Sequence, residues 1–114
     1  MKKTPLVYHR IYDIPLPEKH RFPGSKYSAL LKILESEGLI KSFLKYSPKP
    51  ATAAQLSIVH GQNYLQAVES GNLSKQHETR IGLPWSETLR SRSFLAANGT
   101  LLAAQLALQT GIAC

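Results

Sequence analysis

The stretch that decides the fold is WSETLRSRSFLAANGTLLAAQLALQTGIAC, Trp85 to Cys114, and from Ser93 onward it carries no charged residue. At helical spacing Phe94, Ala97, Leu101, Ala104 and Leu108 share one face, while Leu95, Leu102 and Leu106 put apolar surface on a second. A helix apolar nearly all round is buried, in a protein core or in a membrane. Asn98, Thr100, Gln105, Gln109 and Thr110 interrupt the roughly 20 apolar residues that a membrane span needs. The expectation is therefore a helix packed between a sheet and other helices, with no membrane partner. Ser86 suits its N-cap, Glu87 its first turn, and Gly111 the residue just past its C-terminus. Ile112, Ala113 and Cys114 then read as the opening of a buried strand, so the chain is expected to be the truncated N-terminal part of a larger α/β domain.

Working outward from that helix, Pro5 to Tyr12 reads as a first strand, with Val7, His9 and Ile11 on one side and Leu6, Tyr8 and Tyr12 on the other. Pro15, Pro17, Pro23 and Gly24 make Asp13–Gly24 a long irregular connection. Ser25 is the expected cap of an amphipathic helix over Lys26–Glu37, with Tyr27, Leu30, Leu31 and Leu34 as its stripe and Gly38 as its stop. A short strand is expected within Leu39–Tyr46. Thr52 and Gln55 have capping-box spacing, predicting a short helix through Val59. His60 and Gly61 break it, the His60 imidazole bonding to backbone. A helix over Gln62–Ser70 follows, and Asn72–Leu83 reads as a polar loop.

Composition narrows the class. The chain has 114 residues, 43% of them hydrophobic, which suits globular folding and excludes a disordered polar chain. The net charge of +7 is uneven, with ten Lys and Arg against four acids in residues 1–50. Those cations are scattered singly without a stacking-aromatic pattern, so they read as a solvated surface rather than a nucleic-acid face. A small basic module for nucleic acid or a protein partner is the competing reading. The single cysteine gives no internal disulfide framework, and Leu6–Arg10 is too polar for a signal-peptide core, which points to the cytoplasm.

The residues alone assemble no catalytic site. His9, His20, His60 and His77 lack zinc-binding spacing. There is no Gly-x-Ser-x-Gly elbow, no phosphate loop, and no partner base for Cys114. Glu35 and Glu37 sit on an exposed helix end rather than forming a catalytic pair.

Four segments in order nevertheless resemble one family. They are Val7-Tyr8-His9; His20-Arg21-Phe22-Pro23-Gly24-Ser25-Lys26-Tyr27; Ala51 to Leu65, containing Val59-His60 and Tyr64-Leu65; and Gly82-Leu83-Pro84-Trp85 followed by the helix with Asn98-Gly99-Thr100. Together they resemble the N-terminal part of the zinc-dependent histone deacetylase superfamily, which includes acetoin-utilisation proteins and acetylpolyamine amidohydrolases. Lys26, where class II-like members carry arginine, and the lack of an acid in Gly82–Trp85 are similar to the class IV and bacterial branch.

The resemblance implies an arginase/deacetylase-type three-layer α/β fold with a mainly parallel sheet, residues 1–114 being one incomplete domain. It implies a complete enzyme that holds Zn²⁺ with one His and two Asp. There the metal activates water against an acetyl group on lysine or a small amine, and tandem His residues move the proton. The tandem His belong to a Gly-Gly-x-His-His segment that follows the strand opening at Ile112–Cys114, and the zinc ligands come later still. The chain itself is therefore expected to contain no catalytic or metal-binding residue, to bind no zinc, and to be inactive. What it would contribute is the substrate rim, the loop Pro17–Gly24, with His20, Phe22 and Lys26 as its site residues. It is also expected to self-associate through uncovered apolar surface.

Overall fold

The computed structural model describes residues 2–114. Strands β1 (Thr4–Val7) and β2 (Phe43–Tyr46) pair in parallel, Thr4 opposite Phe43 and Val7 opposite Tyr46. Helix α1 (Lys26–Ser36) makes the crossover between them. Helices α2 (Ala53–Leu56), α3 (Gln62–Ser70) and α4 (Lys75–Ile81) lead to the long α5 (Glu87–Thr110). The fold is thus α/β with a parallel sheet, as expected.

The other edge of β1 is also engaged. The Cys114 N–H donates to the Pro5 carbonyl at 2.9 Å, and the Val7 N–H donates to the Cys114 carbonyl at 2.7 Å, the pattern of a parallel ladder. Cys114 thus lies in a third lane, and β1 lies between it and β2. Pro5 has no N–H to extend that ladder back toward Ile112. The Ile112 carbonyl instead lies 2.8 Å from the Thr110 hydroxyl.

β1 is shorter than the Pro5–Tyr12 expectation. His9 turns its imidazole back, Nδ1 accepting from the Ile11 N–H at 3.0 Å, and Arg10–Tyr12 becomes a 3-10 turn. A side chain that competes for a backbone donor ends the strand. The turn delivers Tyr12 beneath α5. The following connection is closed at its base, where the Ile14 N–H donates to the Gly24 carbonyl at 2.9 Å and a Cβ on Gly24 would strike the Ile14 carbonyl.

Three further expectations are corrected. Ser25 makes no side-chain cap bond; the Ser28 N–H is capped from a distance by the Asp13 carboxylate, at 3.1 Å. The Asn72–Leu83 segment contains α4, because Ser74 accepts from the His77 N–H at 3.2 Å and Gly82 ends it. Its residues are mostly exposed, so no apolar stripe announced it. On α5 the buried line runs through Leu89, Phe94, Leu95, Gly99 and Leu106, whereas Ala97, Leu101, Ala104 and Leu108 of the expected core face are exposed. The caps at Ser86 and the Thr52–Gln55 capping box form as expected, with bonds of 2.9–3.1 Å.

Gly99 explains which face turns inward. The Tyr12 hydroxyl lies where a Gly99 Cβ would stand, and the Pro48 ring lies 3.7 Å from that position. The resulting body is a slab of 49 × 35 × 18 Å with a radius of gyration of 15.9 Å, above the roughly 13 Å of a compact chain this long. Leu108 (89% exposed), Ile58 (86%) and Val59 (81%) lie open.

Gly99→Ala gains about 1 kcal/mol of helix propensity but forces overpacking that costs typically 1–3 kcal/mol. Urea unfolding should therefore show Gly99→Ala destabilised, and Tyr12→Phe in that background should restore part of the loss.

Candidate functional site

The three site residues expected from sequence, His20, Phe22 and Lys26, come together in the structure. The His20 Nδ1 accepts from the Phe22 N–H at 3.1 Å. That leaves Nε2 as the protonated nitrogen, and it donates to the Gly82 carbonyl at 3.1 Å. One imidazole thus ties the Pro17–Gly24 loop to the Gly82–Trp85 segment, two stretches separated by α1, β2, α2, α3 and α4. Gly82–Trp85 is fixed in turn. The Trp85 N–H donates to Glu78 Oε1 at 3.2 Å and its indole Nε1 to the Val68 carbonyl at 2.7 Å.

Phe22 has two cations within reach of its ring. The Lys26 ammonium stands 5.0 Å from its ring centroid and the Arg92 guanidinium 5.5 Å. Both cations also lie against Tyr27, at 5.1 and 5.3 Å. These distances are within the range of cation–π attraction. His20, Phe22 and Lys26 therefore form a contiguous chain of contacts.

Arg92, Tyr27 and Tyr12 were not among the expected site residues. The half-buried Arg92 donates through Nε to the Tyr12 carbonyl at 3.0 Å and through a terminal nitrogen to the Tyr27 hydroxyl at 2.6 Å. Tyr12 and Tyr27 meet edge to face at 5.8 Å. The available signal was that Arg92 is the last charge before the uncharged run, on a helix that buries its neighbours. Tyr27 was assigned to an apolar stripe, and its hydroxyl is what matters here. A cavity of about 320 Å³ lies beside this cluster, lined in part by Tyr12, Tyr27, Arg92, Gly99 and Cys114.

Burial raises the Tyr12 phenol above the ordinary tyrosine range; the Arg92 charge opposes the rise and Tyr27 adds to it. Tyr8 is raised as well, by burial first and then by the Asp13 and Glu35 carboxylates.

The remaining histidines do not join this group. The His60 ring lies tilted against Tyr64 at 5.6 Å, and Tyr64 meets His77 at 5.9 Å. His60 was expected to bond to backbone; His9 and His20 are the imidazoles that do so. Among the described residues no three His, Cys, Asp or Glu side chains gather to hold a metal. No helix among them is long and apolar enough to cross a membrane.

The model of the histone deacetylase domain matches residues 20–114. An uncharacterized protein of Picosynechococcus sp. is 43% identical over 96% of this chain, which spans 37% of that protein. Histone deacetylase 2 of Arabidopsis thaliana is 28% identical over 97% of the chain, which spans 31% of its length. The acetoin utilization protein AcuC of Staphylococcus xylosus is 29% identical over 78% of the chain, which spans 24% of its length. The chain belongs to the histone deacetylase domain family, and it corresponds to roughly a third or less of each of these relatives.

The raised Tyr12 and Tyr8 phenols give a pH signature. The fold favours the protonated phenol, so this contribution is complete below the unfolded value of about 10 and is lost as pH rises through the folded value. Urea unfolding across the alkaline range should show stability falling above pH ~10, with a shallower fall in Tyr12→Phe.

Proposed function

We propose that this chain forms the substrate rim and supporting scaffold of a deacylase domain that removes acetyl or other acyl groups from lysine or small amines. Residues 1–114 act as one portion of a single domain in this reading, and the protein works in the cytoplasm. The observation that carries the proposal is the His20 bridge, which fastens the Pro17–Gly24 loop to Gly82–Trp85 while Lys26 and Arg92 both stand against the Phe22 ring. A rigid aromatic wall on a loop otherwise rich in proline is the element needed to line a narrow acyl-amine tunnel. His20 orients the loop, Phe22 supplies the apolar wall, and Lys26 places a positive charge that favours an anionic carboxylate product.

The family resemblance implies zinc, but the side chains described here do not fit a zinc site, since no ligand set gathers among them. No chemical step is assigned to a metal held by these residues. We place the ligands in the larger part of the domain that the relatives possess, so this chain by itself should neither bind zinc tightly nor turn over substrate. The open side chains of Leu108, Ile58 and Val59 would then lead the isolated chain to self-associate, because large apolar surface left in water is unfavourable by about 25 cal/mol per Å². A basic binding module has less support, because Lys26 and Arg92 are already engaged with rings of their own chain.

Two experiments test this reading. The first measures bound zinc and acetyl-lysine peptide hydrolysis for the chain alone and for the same chain joined to the rest of its reading frame. Turnover only in the longer protein is expected; stoichiometric zinc with turnover by the 114 residues alone would overturn the assignment, as would an inactive longer protein. The second compares Phe22→Ala and Lys26→Ala in the longer protein. A tunnel wall predicts roughly tenfold lower kcat/KM or an altered acyl preference for Phe22→Ala at nearly unchanged melting temperature. A lowered melting temperature with unaltered acyl preference would make Phe22 a loop anchor instead.

A further inference from the structure

We propose that Arg92 is the positioning residue for the rim, setting where the Phe22 ring stands and hence which acyl chains the domain accepts; this rests on the deacylase reading above. Three separate pieces of chain converge on this one guanidinium. Its Nε holds the Tyr12 carbonyl at the end of the 3-10 turn, and a terminal nitrogen holds the Tyr27 hydroxyl on α1. Its central carbon lies over the Phe22 ring, 5.5 Å from the ring centroid.

The donors point along fixed directions of a planar fork, so the two hydrogen bonds leave the guanidinium plane little freedom to turn. Phe22 then rests on a surface whose position is set from the buried side of the molecule. Lys26 differs in kind. It touches the same two rings but is exposed, and no hydrogen bond fixes its ammonium to another element. A flexible ammonium can follow Phe22, whereas the doubly anchored guanidinium dictates to it.

Arg92 has no carboxylate among its hydrogen-bond partners; they are a carbonyl and a phenol. An arginine kept for charge alone would tolerate lysine. One kept for its geometry would not, because lysine retains the charge and gives up the fork.

The test uses Arg92→Lys in the protein that carries this chain with the rest of its reading frame, read in two independent ways. Hydrogen exchange at the Phe22 amide, which is held by His20 Nδ1, should accelerate by about two- to thirtyfold, up to the full worth of one cation–π contact, because a lysine keeps the charge but no longer fixes it against the ring. Amides of the remote helix α3 should be unchanged. In parallel, the ratio of kcat/KM for acetyl- over butyryl-lysine peptides should move by a similar factor, and Phe22→Ala should abolish any further effect of Arg92→Lys on that ratio.

Unchanged exchange at Phe22 would overturn the proposal, and so would an equal loss for all acyl chains that simply adds to the effect of Phe22→Ala. If the unsubstituted protein hydrolyses no acyl amide, the deacylase reading fails and the exchange measurement alone decides the positioning role. Should Arg92→Lys not fold, Tyr27→Phe removes one of the two anchors and should move both readouts in the same direction by a smaller factor.

Discussion

The structure depends on a close approach between a tyrosine hydroxyl and a helix that has no side chain at that point. Tyr12 reaches the α5 backbone at Gly99, and any Cβ there would occupy the space of its hydroxyl. This contact selects the face of α5 that turns toward the 3-10 turn and β1. It also sets the height at which Arg92, about two turns earlier on the same helix, meets the Tyr12 carbonyl. From there the contacts pass to Tyr27 and Phe22, so the Pro17–Gly24 loop is connected to the inside of the molecule.

Much of the fold was legible in the sequence because its signals were local. The capping box at Thr52, the cap at Ser86, the Lys26 helix and the Gly111 stop all rest on residues within a few positions of one another. Other expectations failed for separate reasons. Asp13 caps α1 from 15 residues away, a contact that no local pattern reports. Helix α4 is exposed and polar, and hydrophobic periodicity says nothing about such a helix. The face of α5 was misread because several of its faces are apolar, and periodicity has no contrast to work with when every direction looks like a core.

The site divides in the same way. The resemblance points to His20, Phe22 and Lys26, and the structure links the other two through Phe22, by contacts that composition does not indicate. Arg92 carries no local signal, since an arginine in the first turns of a helix looks like a solvated charge. Only the distant partners, 80 and 65 residues away, distinguish it from one. Membership in the histone deacetylase domain family says which chemistry to look for; it does not say which side chains of this chain meet the Pro17–Gly24 loop.

The arrangement of β1 has a consequence for how the chain is assembled. β1 is made first, yet its two neighbours, β2 and Cys114, are made much later. At synthesis rates of about 5–20 residues per second, the third lane becomes available on the order of 5–20 seconds after the strand it completes. During that interval the strand has an open edge, and an unpaired edge is a template for pairing with other chains. Pro5 blunts that edge by withholding one donor, so a residue that limits the ladder in the finished fold also guards the strand while it waits.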